Sequence, residues 1–144
     1  MFMKKENSID YLFARISRLH QSRIRNLLHK FDLDRGQPPI LFMLLEKDGR
    51  TQREISDNLQ LTPATISVMI QRMEKSGLLT RKTDEEDLRV TRVYLTEKSK
   101  ELQPEIEDVF RQIEEETFSG FTMEEKILLR RFFLQIEDNL NKVK

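Results

Sequence analysis

Residues 62–77, TPATISVMIQRMEKSG, spell out one helix with both of its ends marked. Thr62 is a residue type whose hydroxyl caps a helix. Pro63 has the fixed φ and missing N–H that suit the first helical position, and Gly77 suits the left-handed residue just past a helix end. At roughly 100° per residue, Ile66, Met69, Ile70 and Met73 share one apolar stripe. Ala64, Val68, Gln71 and Lys75 fall on the opposite side. Ser67 and Arg72 lie on its flanks, and Thr65 sits beside Arg72. From Leu78 the period changes to two, so that LLTRKT and RVTRVYL read as strands and DEEDL as the turn between them. A two-faced helix that runs straight into a hairpin leaves few architectures open.

The flanking sequence narrows them further. Residues 8–31 place Leu12, Phe13, Ile16, Leu19, Ile24 and Leu27 three and four apart, which predicts a long amphipathic helix. DLDRGQPP, residues 32–39, is a break whose prolines suit the first turn of a second helix. That helix carries ILFMLL, has no polar face there, and ends at Lys47-Asp48-Gly49. Thr51 and Glu54 have the spacing of a capping box, opening a short helix with Ile55 and Leu59 inward. Leu61 sits in the tight connection to the Thr62 helix, a turn with no glycine. Thr96 begins another helix, with Pro104 inside it, that breaks at Gly120. Thr122 and Glu125 form a second capping box, opening a last helix with Leu128, Phe132, Phe133, Ile136 and Leu140 on it. The expected fold is mainly α: a winged helix-turn-helix with a small β-hairpin wing, and a helical region built from the N- and C-terminal helices.

Charge and composition remove whole classes of function. The 144 residues carry 25 basic and 25 acidic side chains, but unevenly. Residues 1–49 hold nine basic and six acidic, 50–100 ten and eight, and 101–144 six and eleven. The chain is therefore mildly basic up to residue 100 and acidic beyond it. There is no cysteine, which excludes disulfides, thiolate metal sites and thiol chemistry. His20 and His29, the only histidines, lie on opposite sides of the first helix and read as ordinary surface or packing residues. No nucleophile–base pair, glycine-rich phosphate loop or metal-ligand cluster is present, so no enzyme and no cofactor is expected. MFMKKENSID has no apolar run after its basic pair, and the longest apolar run, residues 40–45, is too short to cross a bilayer. The expected location is the cytoplasm, with no membrane partner.

The outward face of the Thr62 helix suits a DNA major groove. Small side chains permit close approach, Ala64 and Val68 match thymine methyls, Gln71 matches adenine, and Arg72 reaches guanine or phosphate. The N–H groups freed at the helix start suit a phosphate. At the wing, Arg81, Lys82, Arg89 and Arg92 surround four acids. Asp87 is expected to pair with Arg81 or Arg92 and hold the turn, leaving Arg89 free for a narrow minor groove. Asp84, Glu85 and Glu86 read as solvated charges. A winged helix used only for protein contacts stays open beside this reading.

Asp87, Arg89, Leu95 and Thr96 match the DxRxxxxxLT signature of the MarR family of bacterial transcriptional regulators. LTPATISVMIQRMEKSGLLTRK before it resembles that family's recognition helix and first wing strand. The order of elements resembles the family over nearly the full chain. The resemblance implies a homodimer reading a palindromic duplex, most often as a repressor. The helix and wing readings above put Thr62, Ala64, Thr65, Ser67, Val68, Gln71, Arg72, Lys75 and Arg89 at the DNA. Residues approximately 36–96 would be the DNA-binding part, and 1–35 with 97–144 the dimerisation part. Family members also respond to small aromatic or amphipathic ligands. Phe42, Met43, Arg15 and His20 are placed to line such a cleft, but nothing in the sequence selects them over core packing. The oxidant-sensing branch uses a cysteine, which this chain lacks.

Overall fold

A computed structural model describes residues 8–31, 33 and 37–143. The first seven residues, part of the break at 32–39, and the expected boundary at 35/36 lie outside the described residues.

The first helix, α1 (Ile9–Leu28), starts where Ser8 Oγ accepts the Tyr11 N–H at 3.2 Å, and runs into a 3-10 turn at His29–Phe31. Its apolar stripe is the expected one, yet only Leu28 is buried, while Leu12, Phe13, Ile16 and Leu19 stay exposed. Helix α2 (Gln37–Glu46) takes Pro38 and Pro39 in its first turn, where a missing N–H costs nothing, and buries Ile40, Leu41 and Leu44. Gly49 follows with φ 72°. A Cβ there would also meet Cε1 of Tyr94 at 2.9 Å, so both backbone and packing require glycine.

Thr51 Oγ1 accepts the Glu54 N–H at 3.0 Å and opens α3 (Gln52–Leu59), which buries Ile55 and leaves Leu59 half-buried. Four residues on, α4 (Pro63–Lys75) begins. The glycine-free turn between them works through Gln60, which takes the left-handed conformation at φ 55°. A non-glycine residue adopts that backbone at a cost of roughly 1–2 kcal/mol. The turn holds it: the Leu61 N–H donates to Ser56 O at 3.2 Å, and Ser56 Oγ donates to Leu61 O at 2.6 Å.

The wing is larger than the expected hairpin. Strands β1 (Arg50–Thr51), β2 (Leu79–Thr83) and β3 (Thr91–Leu95) form an antiparallel sheet in the order β1-β3-β2. The register sets Leu79 opposite Leu95, Arg81 opposite Val93, and Arg50 opposite Val93 on the far side. Two residues are too few to show a period, so β1 is invisible in the sequence, where Thr51 shows only its capping role. Arg89 and Val90, expected to open the second strand, belong to the turn instead. The Asp84 N–H donates to Val90 O at 2.9 Å, and the Val90 N–H to Asp87 O at 3.0 Å, which closes the loop before β3 begins.

Ile55, Ile66, Ile70, Met73, Leu78 and Val93 are fully buried and form the centre of this core. Helix α5 (Glu97–Thr117) contains Pro104 within its span, and α6 (Met123–Lys142) begins with the complete Thr122–Glu125 capping box. The chain divides into two compact units, one ending at Phe110 and one beginning at Arg111. The division falls inside α5. Ile106 and Val109 are buried, and Phe110 packs edge-on against Phe42 with ring centroids 4.4 Å apart, so the first half of α5 belongs to the winged-helix unit. Phe42 is accordingly a packing residue. In the second unit, α6 buries no residue fully.

Candidate nucleic-acid interface

Helix α4 is anchored from behind and open in front. Ile66, Met69, Ile70 and Met73 are all buried. Ala64, Thr65, Val68, Gln71, Arg72 and Lys75 are all exposed, and Ser67 is half-buried on the flank. Val68 is 47% exposed, which for a β-branched apolar residue on a well-packed helix marks a face left clear. Thr62 caps the start: its Oγ1 accepts the Thr65 N–H at 3.2 Å and bonds the Thr65 hydroxyl at 2.8 Å.

The C-terminal end of α4 is tied to the wing. Gly77 lies just past the helix at φ 78°, and the Leu78 N–H returns to Met73 O at 2.9 Å. Thr96 Oγ1 donates to Gly77 O at 2.6 Å, and Ser99 Oγ donates to Leu78 O. Thr96 Oγ1 also accepts the Ser99 N–H at 3.3 Å, which caps α5. Leu95, just before it, is buried. The Leu-Thr pair of the signature thus fastens the helix end, the last strand and α5 at one point. Arg81 pairs with Glu74 of α4 at 3.0 Å, a second tie between helix and wing.

The wing tip differs from expectation in its pairing. Asp87 does not pair with Arg81 or Arg92. Its Oδ1 accepts the Arg89 N–H and Arg89 Nε, each at 3.1 Å, and its Oδ2 accepts Arg89 Nη2 at 3.3 Å. Two residues of separation in a turn bring these groups together, whereas the strand arginines have other partners. Arg89 is therefore paired, though its side chain is 91% exposed and at the surface. An exposed pair of this kind is weakly held and open to exchange for a phosphate.

Asp84, read from the sequence as a solvated charge, is the acid that organises the turn. Its Oδ1 accepts the N–H groups of Glu86 and Asp87 at 2.8 and 3.0 Å, and its Oδ2 accepts Arg92 Nε at 2.5 Å. The Arg92 hydrogen bond, followed by the Asp87 and Glu86 N–H groups, lowers the Asp84 pKa to about 2. Asp87 is lowered as well, first by the Arg89 side chain and then by its backbone N–H. A signal for Asp84 exists in the sequence: an aspartate opening a turn characteristically accepts N–H groups two and three residues on.

Of the residues expected to line a ligand cleft, Arg15 lies on α1 beside Arg18, Ser22 and Arg25 along a shallow surface groove, without Phe42, Met43 or His20. No helix among the described residues is long and apolar enough to cross a membrane.

The family model described as the MarR family matches residues 31–89. The organic hydroperoxide resistance transcriptional regulator of Bacillus subtilis (strain 168) is 36% identical over 95 residues, 66% of this chain and 65% of that protein. This chain thus spans just under two thirds of that relative's length. The structure of a MarR protein from Peptoclostridium difficile DA00132 superposes with a TM-score of 0.87 at 28% identity, covering 100% of this chain and 97% of that one. MepR of S. aureus, solved as a complex with DNA, superposes with a TM-score of 0.82 at 26% identity, covering 95% of this chain and 99% of that one.

Proposed function

We propose that this chain, which belongs to the MarR family of winged helix-turn-helix transcriptional regulators, is a repressor that binds a palindromic DNA duplex as a homodimer. Sequence-specific DNA binding in transcriptional regulation, not catalysis, is its general function. The observation that carries the finer reading is the two-sided state of α4: a stripe fully packed behind, and an uncharged-to-basic face open in front.

In this reading α4 enters the major groove. Ala64 and Val68 lie against thymine methyls, Gln71 reads adenine, and Arg72 and Lys75 take guanine or phosphate. Thr62, Thr65 and Ser67 line the approach at the helix start. Arg89 exchanges Asp87 for the flanking minor groove. Residues approximately 36–96 act as the DNA-binding part. The exposed apolar stripes of α1 and α6, which include Ile16, Leu19, Leu128 and Phe132, meet a second copy, with 1–35 and 97–144 as the dimerisation part. A bound dimer that spans two turns of the duplex excludes other proteins from it, which is repression without further machinery. A small aromatic or amphipathic molecule is the effector class that the family likeness supports. Lacking cysteine, the chain has no thiol with which to sense an oxidant.

A salt titration of duplex binding tests this reading against a winged helix used for protein contacts. Affinity for DNA falls steeply and linearly on a logarithmic salt scale, because phosphate contacts release counterions. Affinity that ignores salt, or an absence of duplex binding, overturns it.

A further inference from the structure

Arg92 sits between two parts of the winged helix that are distant in sequence. Its Nε donates to Asp84 Oδ2 at the wing tip, while its Nη1 donates to the carbonyl oxygen of Gly49 at 2.9 Å. Gly49 ends the turn after α2, and its conformation is forced twice over, by a positive φ and by the Tyr94 ring. That turn is itself fastened to β3: the Gly49 N–H donates to Val93 O at 3.1 Å, and Asp48 Oδ1 accepts the Leu95 N–H at 2.9 Å. At the other end, Asp84 holds the Glu86 and Asp87 N–H groups, and so holds the backbone that presents Arg89. The Asp84 side chain is 15% exposed and that of Arg92 37%, so water screens this pair less than it screens Asp87–Arg89.

We propose that Asp84 and Arg92 form a strut that sets the wing tip from the turn ending α2, so that both are positioning residues for DNA reading and Arg92 is not itself a phosphate contact. The DNA half of this inference rests on the function proposed above; the strut itself does not. A guanidinium suits the task because its rigid fork meets a carboxylate with one nitrogen and a carbonyl with another. An ammonium offers no such fixed angle. The route also gives α2 a mechanical hold on the wing: a shift of its C-terminal turn carries Gly49, Arg92, Asp84 and then the Arg89 backbone.

Two substitutions separate this from a direct contact, because the signs differ. Asp84 is an anion on the wing that the proposed function sets beside DNA, and an unpaired charge there acts on phosphates over a Debye length of roughly 8 Å at physiological salt. If it only repelled DNA, Asp84→Asn would tighten binding. As half of a strut, its neutralisation weakens binding by about tenfold, the size of one charge-assisted hydrogen bond lost. Arg92→Lys keeps the charge, so a phosphate contact would survive it nearly intact, whereas the strut loses its fork and binding again weakens about tenfold. The double variant is no weaker than either single one, since both remove the same link.

Amide hydrogen exchange on the DNA-free proteins gives the independent arm. Both variants speed exchange at Glu86 and Asp87 relative to wild type. Unchanged exchange at these amides overturns the strut, as does tighter binding by Asp84→Asn or near-wild-type binding by Arg92→Lys. If wild-type protein shows no salt-dependent duplex binding, the DNA reading fails, and the exchange arm still decides whether the strut exists.

Discussion

Helices α4 and α6 are both amphipathic, both well capped, and opposite in outcome. Helix α4 has four apolar residues on its inner stripe and buries all of them. Helix α6 has Leu128, Phe132, Phe133 and Leu140 at similar spacing and buries none. Helix α4 therefore satisfies its apolar stripe within its own unit, and its front carries the small, polar and basic residues that the proposed function sets against DNA. In α6, as in α1, the exposed residues are large and apolar, which is the mark of a surface awaiting another protein. One chain thus presents two kinds of unfinished surface, and their chemistry points to two kinds of partner, nucleic acid and a second copy.

The largest expected effect falls on the second surface. Phe132 is 45% exposed on α6, so Phe132→Glu costs the isolated chain little packing but sets a charge in the proposed dimer contact. Light scattering should show monomers or aggregates in place of dimers, with palindrome binding lost. A wild-type protein that is already monomeric would erase the contrast between the two helices. On α4 the inner stripe gives the next effect. Ile70 is fully buried, and Ile70→Ala should lower stability by about 2–5 kcal/mol in thermal or urea unfolding. The outer face should behave oppositely: Gln71→Ala should leave the melting temperature unchanged while costing about 1–3 kcal/mol on the cognate site and relaxing its sequence preference. Smallest is Arg89→Ala at the wing, which should weaken binding to all sites alike and lower the salt slope by about one, because it removes one phosphate-side cation.

How far the sequence carries depends on how local the cause is. Helix boundaries at Thr62, Gly77 and Thr122 follow from single residues acting on their own neighbours, and the structure places each cap as expected. The buried stripe of α4 follows from period alone. What escapes is non-local. β1 is two residues long and exists only because β3 lies beside it. Asp84 pairs with Arg92, its diagonal neighbour across the hairpin, a choice that depends on the register the two strands adopt; Arg92 also reaches Gly49, forty-three positions away, which no helix or hairpin spacing covers. Because Asp84 takes that strand arginine, Asp87 is left to its nearest cation, Arg89. Gln60 shows the converse: a turn that sequence convention assigns to glycine is held in the left-handed region by the Ser56–Leu61 hydrogen bonds around it. Which bases the outer face of α4 selects is a property of the duplex as much as of the chain.

The two surfaces work together in the proposed function: the front of α4 reads bases, and the apolar stripes bring two such helices onto one duplex. Selecting bound sequences from a random duplex pool with purified protein tests both at once. The expected product is an inverted repeat whose half-site centres lie about 10 base pairs, or one helical turn, apart. Gln71→Ala should blur one position symmetrically in each half. Enrichment of a single asymmetric site, or no enrichment over the starting pool, would refute the pairing of a base-reading helix with a two-fold dimer.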